Sequence, residues 1–581
     1  MNNPICLSRL EWEHLFCSPQ HVQVFLRKIP GSQIIWLNQR VMWRQRGFLE
    51  STGSVEARRE SILRSCGYAI AEFDGADGRM GIVDRYGGSG IGANGGSGRA
   101  AFFNGYYIKG IGRTPLIGRE TEAGHASGGA YLEECVRETI FAELVEAEFP
   151  HGSVPTVAII DTGMQQVWEQ FHPSKIERKC LLVRPRFLRP AHFERAAAFL
   201  GHDEKEGYQD RRRVEHMMRT ARELFGLEGF LAMYREFWLA WAEQLAYAFV
   251  HRLPHGGDTT SNIAFDGRLL DFGAMASVPT WARVSLELGS PPVGGSMACL
   301  IDAIRLHAVE LGRHIESAEA TPEGIAKIAR LAAHRYQFVV RREILRVAGL
   351  SCRQAELLLA SKNGAELGSI LGRVWTHFRR EHFAIFDGTP EPRIPWDVNQ
   401  LWSDRPPEYL RRLREFLTKH VDLFRGDERK DSALRTIVGR CSMRTRTRPE
   451  LYRERIKRTL FRMLETELAG NAANQNSLDE LISAIVCCNR RDSKAEPEGA
   501  IPIGFARNAD VGFALFRCLY TARDFAVKDG GSFCTVSQGE NDAQPVADEQ
   551  PERLYITSIS SGSILFASSA VREFSGSVWL L

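Results

Sequence analysis

The chain has 581 residues, 44% hydrophobic and 25% charged, which leaves room for one large core or two to four domains. A net charge of +3 is too small for a nucleic-acid footprint, so nucleic acid is not an expected partner. Met1 to Phe16 carries Glu11, Glu13 and His14 in place of an apolar signal core, and no run of about 18 apolar residues occurs. The expectation is a cytoplasmic protein with no membrane insertion. Twelve cysteines include one adjacent pair, Cys487-Cys488, and no C-x-x-C spacing, so reduced, mostly buried thiols are expected.

Residues 1–60 read as an N-terminal extension with one helix or a strand pair around Gln33–Gln39. Residues 74–98 are dense in glycine, either a flexible linker or a loop whose backbone N–H groups approach a phosphate closely. Asn104-Gly105 then marks a hairpin between Ala100–Gly105 and Tyr106–Lys109, which favours the phosphate loop. After a polar loop (Arg119–Ser127), Ala130–Glu148 carries Leu132, Val136, Ile140 and Leu144 at four-residue spacing, one apolar stripe of a helix. Val154–Ile160 reads as a buried strand. Phe230, Met233, Tyr234, Phe237, Trp241 and Leu245 form a wide helical face leading into His251–Gly256. Amphipathic helices continue through Ile301–Ile315, Gly324–Leu350 and Arg411–Leu423. Asp492–Glu498 and Glu540–Glu552 read as polar linkers, and Leu554–Leu565 alternates like a strand in a small C-terminal α+β element.

The stretch from His255 to Gly273 holds the strongest chemical signal. Asn262 closes a loop, and Asp271-Phe272-Gly273 follows a short run with a turn at Asp266-Gly267. An amide oxygen and a carboxylate nine residues apart can close on one divalent ion, whose shell phosphate and water complete. Protein kinases hold Mg²⁺ with such an Asn and the Asp of D-F-G. Lys109 on a strand and Glu138 on the next helix match the ion pair that sets an ammonium on ATP phosphates. Singly, Lys109 is a snorkelling surface lysine and Glu138 an exposed helical carboxylate. Arg184 and Arg189 offer planar forks suited to phosphate, or a basic turn. His255 reads as a brace more than a base, His192 as structural, and Asp258 as a turn residue or a base.

The segments N-G-G-S-G-R (94–99), Y-I-K-G-I-G-R-T-P (107–115), S-G-G-A-Y-L-E-E-C-V-R-E (127–138), V-R-P-R-F-L-R-P-A-H-F-E (183–194) and H-G-G-D-T-T-S-N…L-D-F-G (255–273) resemble the SelO (selenoprotein O-like, YdiU) family of pseudokinase protein adenylyltransferases. The resemblance covers roughly residues 30–280, with helices extending it to about 480. It implies an α+β, protein-kinase-like bilobal fold. Its β-rich N-lobe with one key helix would span 61–190 and its large helical C-lobe 191–490, flanked by extensions 1–60 and 491–581. It implies ATP bound in a flipped orientation, with AMP transferred to a protein or peptide hydroxyl and pyrophosphate lost. By position, Gly96, Gly98, Arg99, Lys109, Ser127, Gly128, Arg184 and Arg189 would contact the nucleotide. Glu138 would pair with Lys109, and Asn262 and Asp271 would hold Mg²⁺ or Mn²⁺.

Two departures bear on the chemistry. The family has Asp before the metal-binding Asn, assigned as proton acceptor, and this chain has Ser261. The family's Asp-Gly nucleotide contact is here Ser127-Gly128. A hydroxyl acceptor is usually helped by a base, and Asp258 is the carboxylate of the same loop. A carboxylate, ionised at neutral pH, needs none. Three readings follow. AMP passes to a hydroxyl, with Asp258 or the phosphates themselves taking the proton. Or AMP passes to a peptide C-terminal carboxylate, as in maturation of a microcin-type peptide with a partner enzyme. Or the chain is an inactive nucleotide-binding scaffold.

Overall fold

The computed structural model describes residues 9–16, 21–38, 54–70, 77–88, 92–171, 174–201, 206–278, 283–286, 295–377, 382–384, 397–426, 429–468, 475–492 and the strands between 500 and 580. The chain is a mixed α+β protein. Its centre is a nine-stranded sheet built from β1 (Gln23–Lys28), β2 (Gln33–Leu37), β3 (Tyr68–Ala69), β4 (Gly78–Arg85), β5 (Gly96–Phe103), β6 (Tyr106–Lys109), β7 (Ala130–Tyr131), β8 (Ala158–Trp168) and β9 (Lys175–Pro185). The strand order is β2-β8-β9-β6-β5-β4-β1-β3, with β7 added on β9. The segment read as an N-terminal extension therefore supplies two strands of this sheet. β1 pairs with β4, and β2 pairs with β8 through Ile34↔Ile160.

Side-chain alternation along the strands makes two cores. Ala101, Phe103, Ile108 and Val183 face one, with Ile62 and Cys66 of helix α2 (Val55–Cys66), which follows α1 (Arg9–Phe16). Ala100, Phe102, Tyr107 and Leu182 face the other, against helix α3 (Leu132–Glu148). Lys109 follows Tyr107 by two residues, so it shares the α3 face. The Asn104-Gly105 hairpin forms as its sequence demands, with φ of 48° and 83° at the two turn residues.

The four-residue stripe of α3 is buried, and so are Cys135, Phe141, Ala142 and Val145 around it. The helix lies between the sheet and the helical layer, which is why a one-sided pattern understates its burial. The Val154–Ile160 expectation shifts, because the strand begins at Ala158 and runs on to Trp168.

Helices α4 (Glu206–Phe225), α5 (Leu227–Val250), α6 (Ser296–Gly312) and α7 (Pro322–Val347) begin the helical layer. Further helices run as far as Gln475–Asn489. α5 buries Phe230, Tyr234, Phe237, Trp238, Trp241 and Leu245, and ends at the loop expected to carry the metal ligands. Thr321 caps α7, its hydroxyl accepting from the Gly324 N–H at 3.1 Å, with Pro322 in the first turn.

Asp492 opens the run read as a linker, whose residues 493–498 lie outside the described ones, and it is not a solvated linker residue. It is 2% exposed and meets Arg346 and Arg444, partners too distant in sequence for local polarity to reveal. The C-terminal α+β expectation also changes. The described residues beyond Ala500 are seven strands closed into a barrel, with Ala500–Arg507 pairing both Gly512–Cys518 and Ser577–Leu580. The expected strand near Leu554 is a hairpin of Arg553–Ser560 and Ser563–Ser568. Among the described residues, no helix is long and apolar enough to cross a membrane.

Candidate functional site

A cavity of about 1060 Å³ opens between the sheet and the 255–273 loop. Gly96, Gly98, Arg99, Lys109, Glu134, Asp258, Ser261, Asn262 and Asp271 are among the residues that line it. Residues expected at one site from separate parts of the sequence are thus gathered around one space.

Lys109 is 3% exposed and its ammonium meets three carboxylates: Glu138 Oε1 at 2.5 Å, Glu134 Oε1 at 3.0 Å and Asp271 Oδ1 at 3.0 Å. Glu134 and Glu138 are one helical turn apart on α3 and so share a face. Glu138 is fully buried and is also held by the Arg184 guanidinium. Burial and the neighbouring Arg99 push the Lys109 ammonium pKa down, but Asp271, Glu134 and Glu138 outweigh them and raise it above its ordinary value. For Asp271, burial pushes the carboxyl up, while Lys109, Arg99 and Arg184 hold it well below the usual carboxylate range.

Asp271 has φ 59° and ψ 70°, a left-handed backbone uncommon outside glycine that costs ~1–3 kcal/mol. The surroundings fix it there. Phe272 is fully buried, and the Gly273 carbonyl accepts from Arg137 of α3 and from Arg453. His255 is a brace: its Nδ1 accepts from the Gly257 N–H at 3.2 Å, so Nε2 carries the hydrogen and donates to the Leu270 carbonyl at 2.9 Å. With both ring nitrogens occupied, His255 joins the Asn262 loop to the residue before Asp271.

Asn262 donates from its side-chain amide to the Gly257 carbonyl at 2.9 Å. That orients its amide oxygen, which lies 3.4 Å from the Ser261 hydroxyl. An amide oxygen and an ionised carboxylate on one cavity wall are the hard donors that Mg²⁺ takes, so the residues present fit a divalent ion. Ser261 Oγ lies 2.8 Å from Thr259 Oγ1. Asp258 accepts from Ser296 Oγ at 2.7 Å, and burial raises its carboxyl pKa more than His255 and Ser296 lower it.

Some expected residues stand behind the cavity wall. Arg189 is 1% exposed, sits 4.4 Å from the Tyr86 ring centroid, and donates to Asp84 and the Ser261 carbonyl, each at 2.6 Å. It ties strand β4 to the 255–273 loop. His192 is structural: its Nδ1 accepts from the Arg189 N–H at 3.2 Å and its Nε2 donates to Asp84 at 2.8 Å. Burial lowers its pKa to about 4, so it is neutral. Arg184 faces Glu138. Ser127 donates to the Gly124 carbonyl at 2.8 Å and accepts from Tyr131 at 2.8 Å, which secures a turn. Gly128 has φ +72°, and a Cβ there would lie 2.1 Å from the Arg113 nitrogen. Glu138, Arg184, Arg189, Ser127 and Gly128 are not among the cavity-lining residues.

Sequence reading missed Glu134 and Glu194. Glu194 accepts from Thr260 at 2.8 Å, beside Gly88 at the end of β4. Burial raises its carboxyl pKa to about 7.

A second acidic cluster, His251, Glu343 and Asp492, has ligand atoms within 4.8 Å of one another. Arg342 and Arg346 each meet Glu343 at 2.9 Å, and Arg346 meets Asp492 at 2.5 Å. Guanidinium groups already neutralise these carboxylates, which suits an ion-pair hub better than a cation site.

No protein-family model matches the chain, and no curated protein matches it.

Proposed function

We propose that the protein is an ATP- and divalent-metal-dependent adenylyltransferase with a kinase-like bilobal architecture. It moves AMP from ATP to a hydroxyl of a protein or peptide. The observation that carries this reading is Lys109 joined to both Glu138 and Asp271 at the floor of a cavity that also holds Gly96, Gly98 and Asn262. This is the set of groups that phosphoryl-transfer sites assemble around ATP. The strand path β4-β5-β6, then α3, then β8-β9 supports the same reading, because it sets a glycine loop, a strand lysine and a helix glutamate in kinase order. The spacing from His255 to Asn262 equals that of the kinase catalytic loop.

The choice of AMP over phosphate rests on the resemblance to the flipped-ATP family. Arg99 and Lys109 share Glu134 on the cavity wall, two cations suited to phosphate oxygens. In the proposed reaction the acceptor oxygen attacks the α-phosphorus. The bond from that phosphorus to the bridging oxygen breaks, pyrophosphate leaves, and Asp258 takes the acceptor's proton. Asn262 and Asp271 would hold the divalent ion, which supplies charge neutralisation on phosphate oxygens. Ser261, where the family has a carboxylate, keeps a second reading in view: a carboxylate acceptor that needs no base.

Incubating the full chain with ATP, Mg²⁺ and a host lysate and weighing the labelled species intact tests the proposal. An AMP adduct that Asp271→Ala abolishes supports it, and hydroxylamine lability of the adduct would assign a carboxyl acceptor. A wild-type chain that binds ATP and labels nothing would leave the scaffold reading.

A further inference from the structure

Arg99 and Lys109 converge on one carboxylate oxygen. Glu134 Oε1 lies 2.7 Å from Arg99 Nη2 and 3.0 Å from Lys109 Nζ, while Glu134 Oε2 accepts from Arg99 Nη1 at 3.0 Å. Arg99 Nη1 also donates to the Gly129 carbonyl at 2.9 Å. Two like charges side by side repel, and Glu134 is the group that holds them together. Glu134 stands in the first turn of α3, where the helix dipole also favours a negative charge. Burial pushes its carboxyl pKa up, but Arg99 and Lys109 outweigh burial and keep it ionised.

An ammonium has three N–H donors, and those of Lys109 face Glu138, Glu134 and Asp271. A phosphate oxygen reaches Lys109 only in exchange for one of them. Glu138 is fully buried and shared with Arg184, so it stays. The Asp271 side chain is 40% exposed, against 15% for Glu134. Asp271 is therefore the exchangeable partner, and Glu134 remains bound to both cations.

We propose that Glu134 is a positioning residue that aims Arg99 and Lys109 at the outer phosphates of a nucleoside triphosphate and so selects triphosphate over monophosphate. This inference rests on the nucleotide reading above. Glu134 takes the Nη1–Nη2 side of Arg99 and the Gly129 carbonyl the other Nη1 hydrogen, so the Nε–Nη2 edge is the one left for two phosphate oxygens presented together, and the adjacent ammonium suits the next phosphate. AMP lacks both outer phosphates and gains nothing from the pair.

Calorimetric titration of the full chain with ATP and with AMP, in Mg²⁺, tests this on wild type, E134Q, R99M and the double variant. Because losing a charge-assisted pair weakens binding by about tenfold or more, E134Q should weaken ATP by that factor and AMP by less than about twofold. R99M should do the same, and the double variant should bind ATP no worse than R99M, because the two residues act as one unit. E134Q keeps the shape of the side chain and so preserves packing that E134A removes, and thermal melts verify folding. Unchanged ATP affinity in E134Q, equal loss for ATP and AMP, or additive losses in the double variant would overturn the inference alone. A folded wild type that binds neither nucleotide would overturn the inference together with the functional reading.

Discussion

Lys109 and Glu138 are 29 positions apart, on a strand and on the helix after it, and their charged atoms lie 2.5 Å apart in the buried floor of the cavity. Removing the ammonium leaves three carboxylates facing one another, with Arg99 and Arg184 as the remaining cations beside them among the described residues. Lys109→Met should therefore destabilise the fold by about 3 kcal/mol, the cost of breaking a buried pair from one side. It should also lower turnover ~10²–10³-fold, as loss of a charge-stabilising donor does. Denaturant titration and steady-state rates check both. A variant as stable as wild type would mean that the pair is not formed in solution.

Asp258 is proposed to take the acceptor's proton, so it must be ionised to act. Burial raises its carboxyl pKa, and the rate should rise with pH through a limb above the usual carboxylate range. Asp258→Asn should remove that limb and lower turnover ~10²–10⁴-fold. An unaltered pH profile in the variant would exclude Asp258 as the base and favour an acceptor that needs none.

Glu194 is a carboxyl whose folded pKa is raised to about 7 by burial. The folded state then binds its proton more tightly than the unfolded chain, whose ordinary glutamate pKa is about 4.3. Stability is fully present below that unfolded value and falls as pH rises towards about 7, by roughly 3 kcal/mol from this group. Glu194→Gln should melt higher than wild type at pH ~8 and alike below pH ~4, because its pKa-linked penalty is gone. Equal melting differences at both pH values would contradict the shift.

Glu148 closes the far end of α3. It meets Arg448 at 3.0 Å and accepts from the Arg491 backbone N–H at 2.7 Å. Glu148→Ala strands a buried guanidinium and should cost ~3–5 kcal/mol, while Glu148→Gln, which still accepts from Arg491, should cost less. Denaturant midpoints of the two variants check the order, and equal midpoints would contradict it.

Much of this site is legible in the sequence because its signals are local. Asn104-Gly105 dictates a hairpin, the apolar stripe of α3 fixes which face bears Glu138, and Asn262 and Asp271 share one short loop-strand unit. What stayed hidden depends on partners distant in sequence. Glu134 reads as a solvated carboxylate at a helix start until Arg99 is seen beside it. Asp492 sits in a polar run that looks like a linker, yet Arg346, 146 residues earlier, buries it. Arg189 carries the right fork for phosphate, and only packing reveals that Asp84 and the Ser261 carbonyl already occupy it. The C-terminal barrel closes by pairing its first strand with its last, a contact that strand alternation cannot announce.

The most direct test of the central claim is transfer of label from ATP radiolabelled separately at the α- and the γ-phosphate, with the full chain, Mg²⁺ and a host lysate. Label from the α-position alone, lost in Asp271→Ala, is the predicted result. Label from the γ-position would contradict adenylyl transfer and make the site a kinase.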